Sequence, residues 1–247
     1  MADLDGPPPI EIVNENGASR TLLVCEHASR HMPARYRDLG LPPGERDRHI
    51  AWDIGAAAVT RELAAALDAP AYLGTYSRLL IDLNRPIGAP SSIPERSEAT
   101  DIPGNVGLDA AERDARRQAI FAPFQARLSE RLERRRPDRI VAIHSFTPVF
   151  LGVSRPWHIG ILYDAARDFG EAMLAKLRED RAIVVGANVP YVIERSEDYT
   201  VPVHGDDLGI PAILVEIRND LIREADGVSE WAARLARALS HVPSSRA

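Results

Sequence analysis

The chain has 247 residues, of which 45% are apolar and 27% charged, with a net charge of −6. That length suits one open α/β enzyme domain, and residues 1–247 read as a single domain with no linker inside it. The acidic balance excludes a surface built to neutralise phosphates, so nucleic acid is not an expected partner.

Residues 1–18 read as a flexible lead-in, because their first half is acidic and proline-rich. They lack the basic start and apolar stretch of a secretory signal, and no later segment reaches membrane-spanning length. With a single cysteine, Cys25, in an apolar run, there is neither a disulfide nor a thiolate cluster to expect, and the reading is cytoplasmic. Residues 21–25 form a short unbroken apolar run, the pattern of a strand covered on both faces. Glu26 and His27 follow it at once. Over residues 50–67 apolar positions recur at helical spacing, which puts Asp53 in a first helical turn.

Residues 71–74 and 79–83 read as two strands separated by a turn at Tyr76-Ser77. Prolines, glycines and serines crowd residues 85–107, which marks a long loop. Residues 108–135 carry alternating charges over a thin apolar stripe and predict a long exposed helix ending before Pro137. Its Arg134-Arg135-Arg136 run reads as a solvated helix end. Strands follow at 139–143, 159–162, 183–185 and 212–215, with helices at 165–177 and 229–239. This alternation predicts a three-layer α/β/α fold with a mixed, mostly parallel central sheet.

In such a sheet the site lies beyond the carboxyl ends of the strands. Polar residues follow apolar runs at Glu26-His27, at His144-Ser145 and at Glu216 to Asn219. A hydrolytic zinc site needs three nitrogen or oxygen ligands and room for a water. His27 and His144 offer two, and Asp53 offers a third unless it only stabilises its helix end. Glu216, following Ile213-Leu214-Val215, needs either an arginine such as Arg218 or a proton-transfer task.

Five segments, Val24 to Ser29, Trp52 to Gly55, Ser77 to Pro86, Ile143 to Phe146 and Val215 to Asp220, resemble N-formylglutamate amidohydrolases, Asp82-Leu83-Asn84-Arg85-Pro86 most specifically. The likeness spans about residues 20–240. The resemblance implies a zinc exopeptidase-like fold, one Zn2+ held by His27, Asp53 and His144, and Glu216 as general base. It also implies a small N-acyl amino acid as substrate, N-formyl-L-glutamate above all. Glu26 competes with Asp53 as the carboxylate ligand. The substrate's two carboxylates call for arginine forks, for which Arg78, Arg85 and Arg218 are candidates, with Asn84 as a neutral donor. Arg78 has an alternative partner in Asp82, and Asn219 is equally suited to capping a turn. His204 is read either as a stabiliser of the tetrahedral oxyanion or as a solvent-facing loop residue; His31, His49, His158 and His241 receive no role.

Three other readings stand beside this one: the same chemistry on another N-acyl amino acid or peptide amide, a non-catalytic binding protein of this fold, and a serine hydrolase using Ser145. No Gly-x-Ser-x-Gly elbow supports the last. The oligomeric state is left open.

Overall fold

Residues 6–242 are described by a computed structural model. Seven strands build the central sheet: β1 (Ile10–Val13), β2 (Thr21–Cys25), β3 (Ala71–Gly74), β6 (Arg139–Phe146), β9 (Ile159–Leu162), β10 (Val185–Ala187) and β11 (Ala212–Arg218). Two short pairs, β4 (Arg96–Ser97) with β5 (Thr100–Asp101) and β7 (Val149–Phe150) with β8 (Val153–Ser154), stand outside it. The order is β1-β3-β2-β6-β11-β9-β10. Strands β3, β2, β6 and β11 run parallel to one another, and so do β9 and β10. Antiparallel pairing occurs at β1–β3 and β11–β9. The sheet is therefore mixed and mostly parallel, in an α/β fold.

Alternation of side chains along the strands divides the core in two. Leu23, Cys25, Val141, Ile143, Val215 and Ile217 pack on one face with helices α1 (Ala56–Leu67), α4 (Arg167–Leu177) and α5 (Ala225–His241). Leu22, Val24, Ile140, Ala142, Ala212 and Leu214 face the other way. There they meet Phe124, Leu128 and Leu132 of α3 (Ala122–Arg134), which continues α2 (Ala110–Arg116) through a π-helical turn. Pro123 in the first turn of α3 cannot donate to the carbonyl four residues back, which accounts for that turn.

Four expectations are corrected. The segment assigned to a flexible lead-in contains β1, which pairs with β3 across Ile10↔Gly74 to Val13↔Ala71; residues 1–5 lie outside the described residues. Residues 79–83 are no strand. The free edge of β3 is occupied by β1, and the carbonyls of Leu79, Leu80 and Leu83 accept instead from Asn105, Arg116 and Gln125 side chains. The helix expected from residue 50 begins at Ala56, because Gly55 adopts a left-handed φ of 83°. A Cβ there would stand 2.2 Å from the Ile222 carbonyl oxygen, so the turn requires glycine. Asp53 consequently precedes the helix. Finally, the long helix buries polar groups: Arg116 is 2% exposed and pins the loop through Leu80 O, Asn105 Oδ1 and Gly104 O.

Among the described residues no helix is long and apolar enough to cross a membrane.

Candidate active site

The parallel strands β2, β6 and β11 deliver polar residues to one rim. The alternation that sends Val24, Ala142 and Leu214 to the α3 face also sends Glu26, His144 and Glu216 there, and the register sets Glu216 directly beside His144. His27 lies two residues past the end of β2. Its carbonyl accepts the Asp53 N–H at 2.9 Å, and Asp53 O accepts from Ala56 N at 3.2 Å, so the turn before α1 is stitched to the strand end. That link, not a helical turn, places Asp53.

His27, Asp53 and His144 are buried, and one ligand atom from each lies within 4.8 Å of the others. Asp53 Oδ2 stands 3.4 Å from His27 Nδ1 and 3.0 Å from His144 Nδ1. The rings meet edge to face at 87° with centroids 4.8 Å apart. Each outward nitrogen is backed by a carboxylate: His27 Nε2 by Asp82 Oδ1 at 2.7 Å and His144 Nε2 by Glu26 Oε2 at 3.0 Å. Glu26 therefore lies behind the His144 ring, on the side away from Asp53. Ser145 N donates to Asp53 Oδ2 at 3.2 Å, and the Ser145 hydroxyl donates to Ile54 O at 2.9 Å. That hydroxyl is engaged in holding the turn.

Negative charge dominates the cluster. Burial opposes ionisation of Asp53, but the two histidines hold its pKa below the usual carboxylate range. Burial likewise opposes ionisation of Asp82, which Arg78 and then His27 override. Burial opposes charge on His144, yet Glu26 and Asp53 raise its pKa well above the ordinary histidine value. Glu216 differs: burial pushes it up to about 8, and its Oε2 is buried without a hydrogen-bond partner.

His27, Asp53, His144 and Glu216 line a cavity of about 500 Å³ that also includes Arg78, Asn84, Arg85, His49, Phe146 and Tyr191. Arg78 sits between Asp82, at 2.8 Å from Oδ2, and Asp53, at 3.4 Å from Oδ1. It is both in the wall and ion-paired. Arg85 donates to Glu197 O at 2.6 Å and approaches Asp198 at 3.3 Å. Asn84 Oδ1 accepts from Tyr199 N and Thr200 N, which fastens the 198–200 segment to the site. Arg218 does not line the cavity and pairs with Asp220 at 2.8 Å. His204 also lies apart. It is 3% exposed, is hydrogen-bonded to Gln125 Oε1 at 2.7 Å, and is lowered by burial to about 4. That burial corrects the solvent-facing alternative.

Sequence patterning missed His49, which reaches the cavity from the segment before α1, Tyr191 in the cavity wall, and Arg155, which packs against Tyr191 and Phe146. A lone arginine after a two-residue strand carries no periodic signal. Asp82, by contrast, was conspicuous as the first residue of the Asp-Leu-Asn-Arg-Pro run.

Two histidines and a carboxylate converging in a cavity beside a buried glutamate, at the strand ends of an α/β sheet, describe a hydrolytic site. A family model for N-formylglutamate amidohydrolase matches residues 19–223, which fixes the class as an amide hydrolase. The chain belongs to the N-formylglutamate amidohydrolase family. Among solved structures it is similar to the gene product Atu2144 from Agrobacterium tumefaciens, at 39% identity and TM-score 0.90, covering 95% of this chain and 96% of that one. It also resembles N-formylglutamate amidohydrolase from Ralstonia eutropha JMP134, at 17% identity and TM-score 0.67, over 94% and 96% of the two chains. A comparison with curated proteins gave no significant match.

Proposed function

We propose that this protein is a zinc-dependent amidohydrolase that cleaves N-formyl-L-glutamate, or a closely related N-acyl amino acid, to formate and the free amino acid. The observation that carries the reading is the pair of histidine Nδ1 atoms aimed at one Asp53 oxygen, each ring backed at Nε2 by a carboxylate. Carboxylates at Nε2 hold a proton on that nitrogen and direct both Nδ1 atoms inward, which is the usual outer support of a metal-binding histidine; a bound cation would displace the proton that Asp53 favours on His144 Nδ1. His27 Nδ1 is buried with no hydrogen-bond partner, a costly state that a cation would relieve. The residues thus suit a divalent ion held by His27, Asp53 and His144. When bound, such an ion polarises a carbonyl and lowers the pKa of a nearby water.

The protein's own groups do the rest. Glu216, adjacent to His144 in register, takes a proton from the attacking water and returns it to the departing amide nitrogen. Burial raises its proton affinity above that of an ordinary carboxylate, which favours taking up that proton. Arg78 and Arg85 lend positive charge to the cavity wall while held by protein carboxylates, and Asn84 keeps the Tyr199 and Thr200 backbone against it. The reading places the enzyme in the cytoplasm.

Metal analysis of the purified chain, combined with formate release from a panel of N-formyl amino acids before and after chelation, tests the proposal. Zinc near one equivalent, chelator-sensitive turnover and preference for the glutamate derivative are expected. Turnover that survives complete metal removal would overturn it.

A further inference from the structure

The arginines that line the cavity by the cluster are already matched by protein carboxylates, and Arg218 is matched by Asp220. Arg155 is not. It is 9% exposed, and among the described residues its guanidinium has no carboxylate within ion-pair distance. Its one side-chain hydrogen bond runs from Nη1 to the Tyr191 hydroxyl at 3.0 Å. Other buried arginines find stronger acceptors: Arg116 has Glu112 and two carbonyls, and Arg131 has the Arg135 carbonyl.

Three aromatic rings hold the Arg155 head, Phe150 at 4.5 Å, Tyr191 at 4.8 Å and Phe146 at 5.9 Å from Cζ to centroid. Ring faces attract a cation and exclude water, yet accept nothing from its in-plane N–H groups. The planar fork is thus fixed in direction with most of its donors lacking a protein acceptor. Phe146 and Tyr191 are walls of the same cavity as His144 and Glu216, and Phe146 lies only two residues beyond His144 on β6. Arg155 itself follows β8, its backbone tied to Pro148 O at 2.8 Å.

From this geometry we infer that Arg155 is the anchor for a carboxylate of the substrate's amino acid portion. The inference rests on the reading of the site as an N-acyl amino acid hydrolase and names the residue that selects an acidic substrate. Asp53, Asp82 and Glu26 repel a substrate carboxylate from the cluster itself. A bidentate fork in an aromatic box, with no carboxylate in ion-pair distance, supplies the matching cation and turns the scissile amide toward Glu216.

The test compares wild type, Arg155→Met and Arg155→Lys on N-formyl-L-glutamate and on its α-amide and γ-amide. For the diacid, Arg155→Met raises KM about 100-fold with kcat changed less than about threefold, the mark of lost binding common to ground and transition states. Arg155→Lys recovers about tenfold of that loss, since it keeps the charge without the fork. On the amide lacking the anchored carboxylate, wild type and Arg155→Met differ less than about threefold. Equal KM values for wild type and both variants on the diacid, or an Arg155 effect that persists on both amides, would overturn the anchor. Calorimetry with glutarate, a dicarboxylate with no amide, separates this from the hydrolase reading. Glutarate binding at least about tenfold weaker in Arg155→Met upholds the anchor even if wild type releases no formate. Unchanged glutarate binding refutes it. Should Arg155→Met fail to fold, the lysine variant carries the same comparisons.

Discussion

Replacing Asp82 by asparagine perturbs the site at a point where every hydrogen bond can be followed. Asp82 Oδ1 accepts from His27 Nε2 at 2.7 Å and from Asn84 N at 2.8 Å. Its other oxygen takes Arg78 Nε at 3.0 Å and Nη2 at 2.8 Å. An asparagine of the same shape has one oxygen for these two pairs of donors. With its oxygen toward His27, its NH2 group confronts the Arg78 fork. In the flipped orientation the NH2 confronts Asn84 N–H and drives His27 to the other tautomer, placing a proton on the Nδ1 that faces Asp53. Either way Arg78, with only 23% of its side chain exposed, keeps Asp53 as its sole carboxylate partner at 3.4 Å. Breaking a buried pair from one side costs about 3–5 kcal/mol. Loss of a carboxylate behind a metal-binding histidine lowers metal affinity about 10–100-fold, or roughly 1.4–2.7 kcal/mol. Urea unfolding of the metal-free protein reads the first quantity, and zinc competition against a chromophoric chelator reads the second. A variant within about 0.5 kcal/mol of wild-type stability and within about twofold of its zinc affinity, the spread of an ordinary surface substitution, would refute the reasoning.

Glu216→Gln keeps its metal while losing at least about 100-fold in formate release, the scale of a missing proton-transfer group; metal loss on elemental analysis would make Glu216 a ligand instead. His204 titrates near 4 in the fold because burial disfavours its charged form, against about 6.5 when exposed. The unfolded chain binds the extra proton between these values, so stability present above pH 6.5 is lost as pH falls toward 4, by about 3 kcal/mol. Denaturant midpoints measured at pH 7 and 4.5 should therefore fall less in His204→Gln than in wild type. Arg116→Met leaves Asn105 Oδ1 and the Leu80 and Gly104 carbonyls without their donor and destabilises by roughly 3 kcal/mol, read as a lower urea midpoint.

Much of the framework was legible because buried strands announce themselves by composition. The runs at 21–25, 71–74 and 159–162 coincide with β2, β3 and β9, and the late helices differ from expectation only at their ends. The run at 79–83 shows the limit of that signal. An apolar segment becomes a strand only if an edge is free to pair with it, and β1, hidden in a segment that looked unstructured, had taken that edge. Its leucines are buried all the same, with side chains from the helical layer supplying the hydrogen bonds.

The chain's own order determined which residues are available for chemistry: His27, Asp53, His144 and Glu216 are conspicuous because polar groups next to apolar runs must be either paired or used. Only the tertiary structure decided their partners. Strand register sets Glu216 beside His144, the Gly55 turn brings Asp53 between two rings, and carboxylates from separate loops reach the outer nitrogens. It also took Arg218 and His204 out of the cavity and set Arg155 against its aromatic walls. Pairing between groups distant in sequence depends on angles and distances of a few ångströms, and no spacing along a chain encodes those directly.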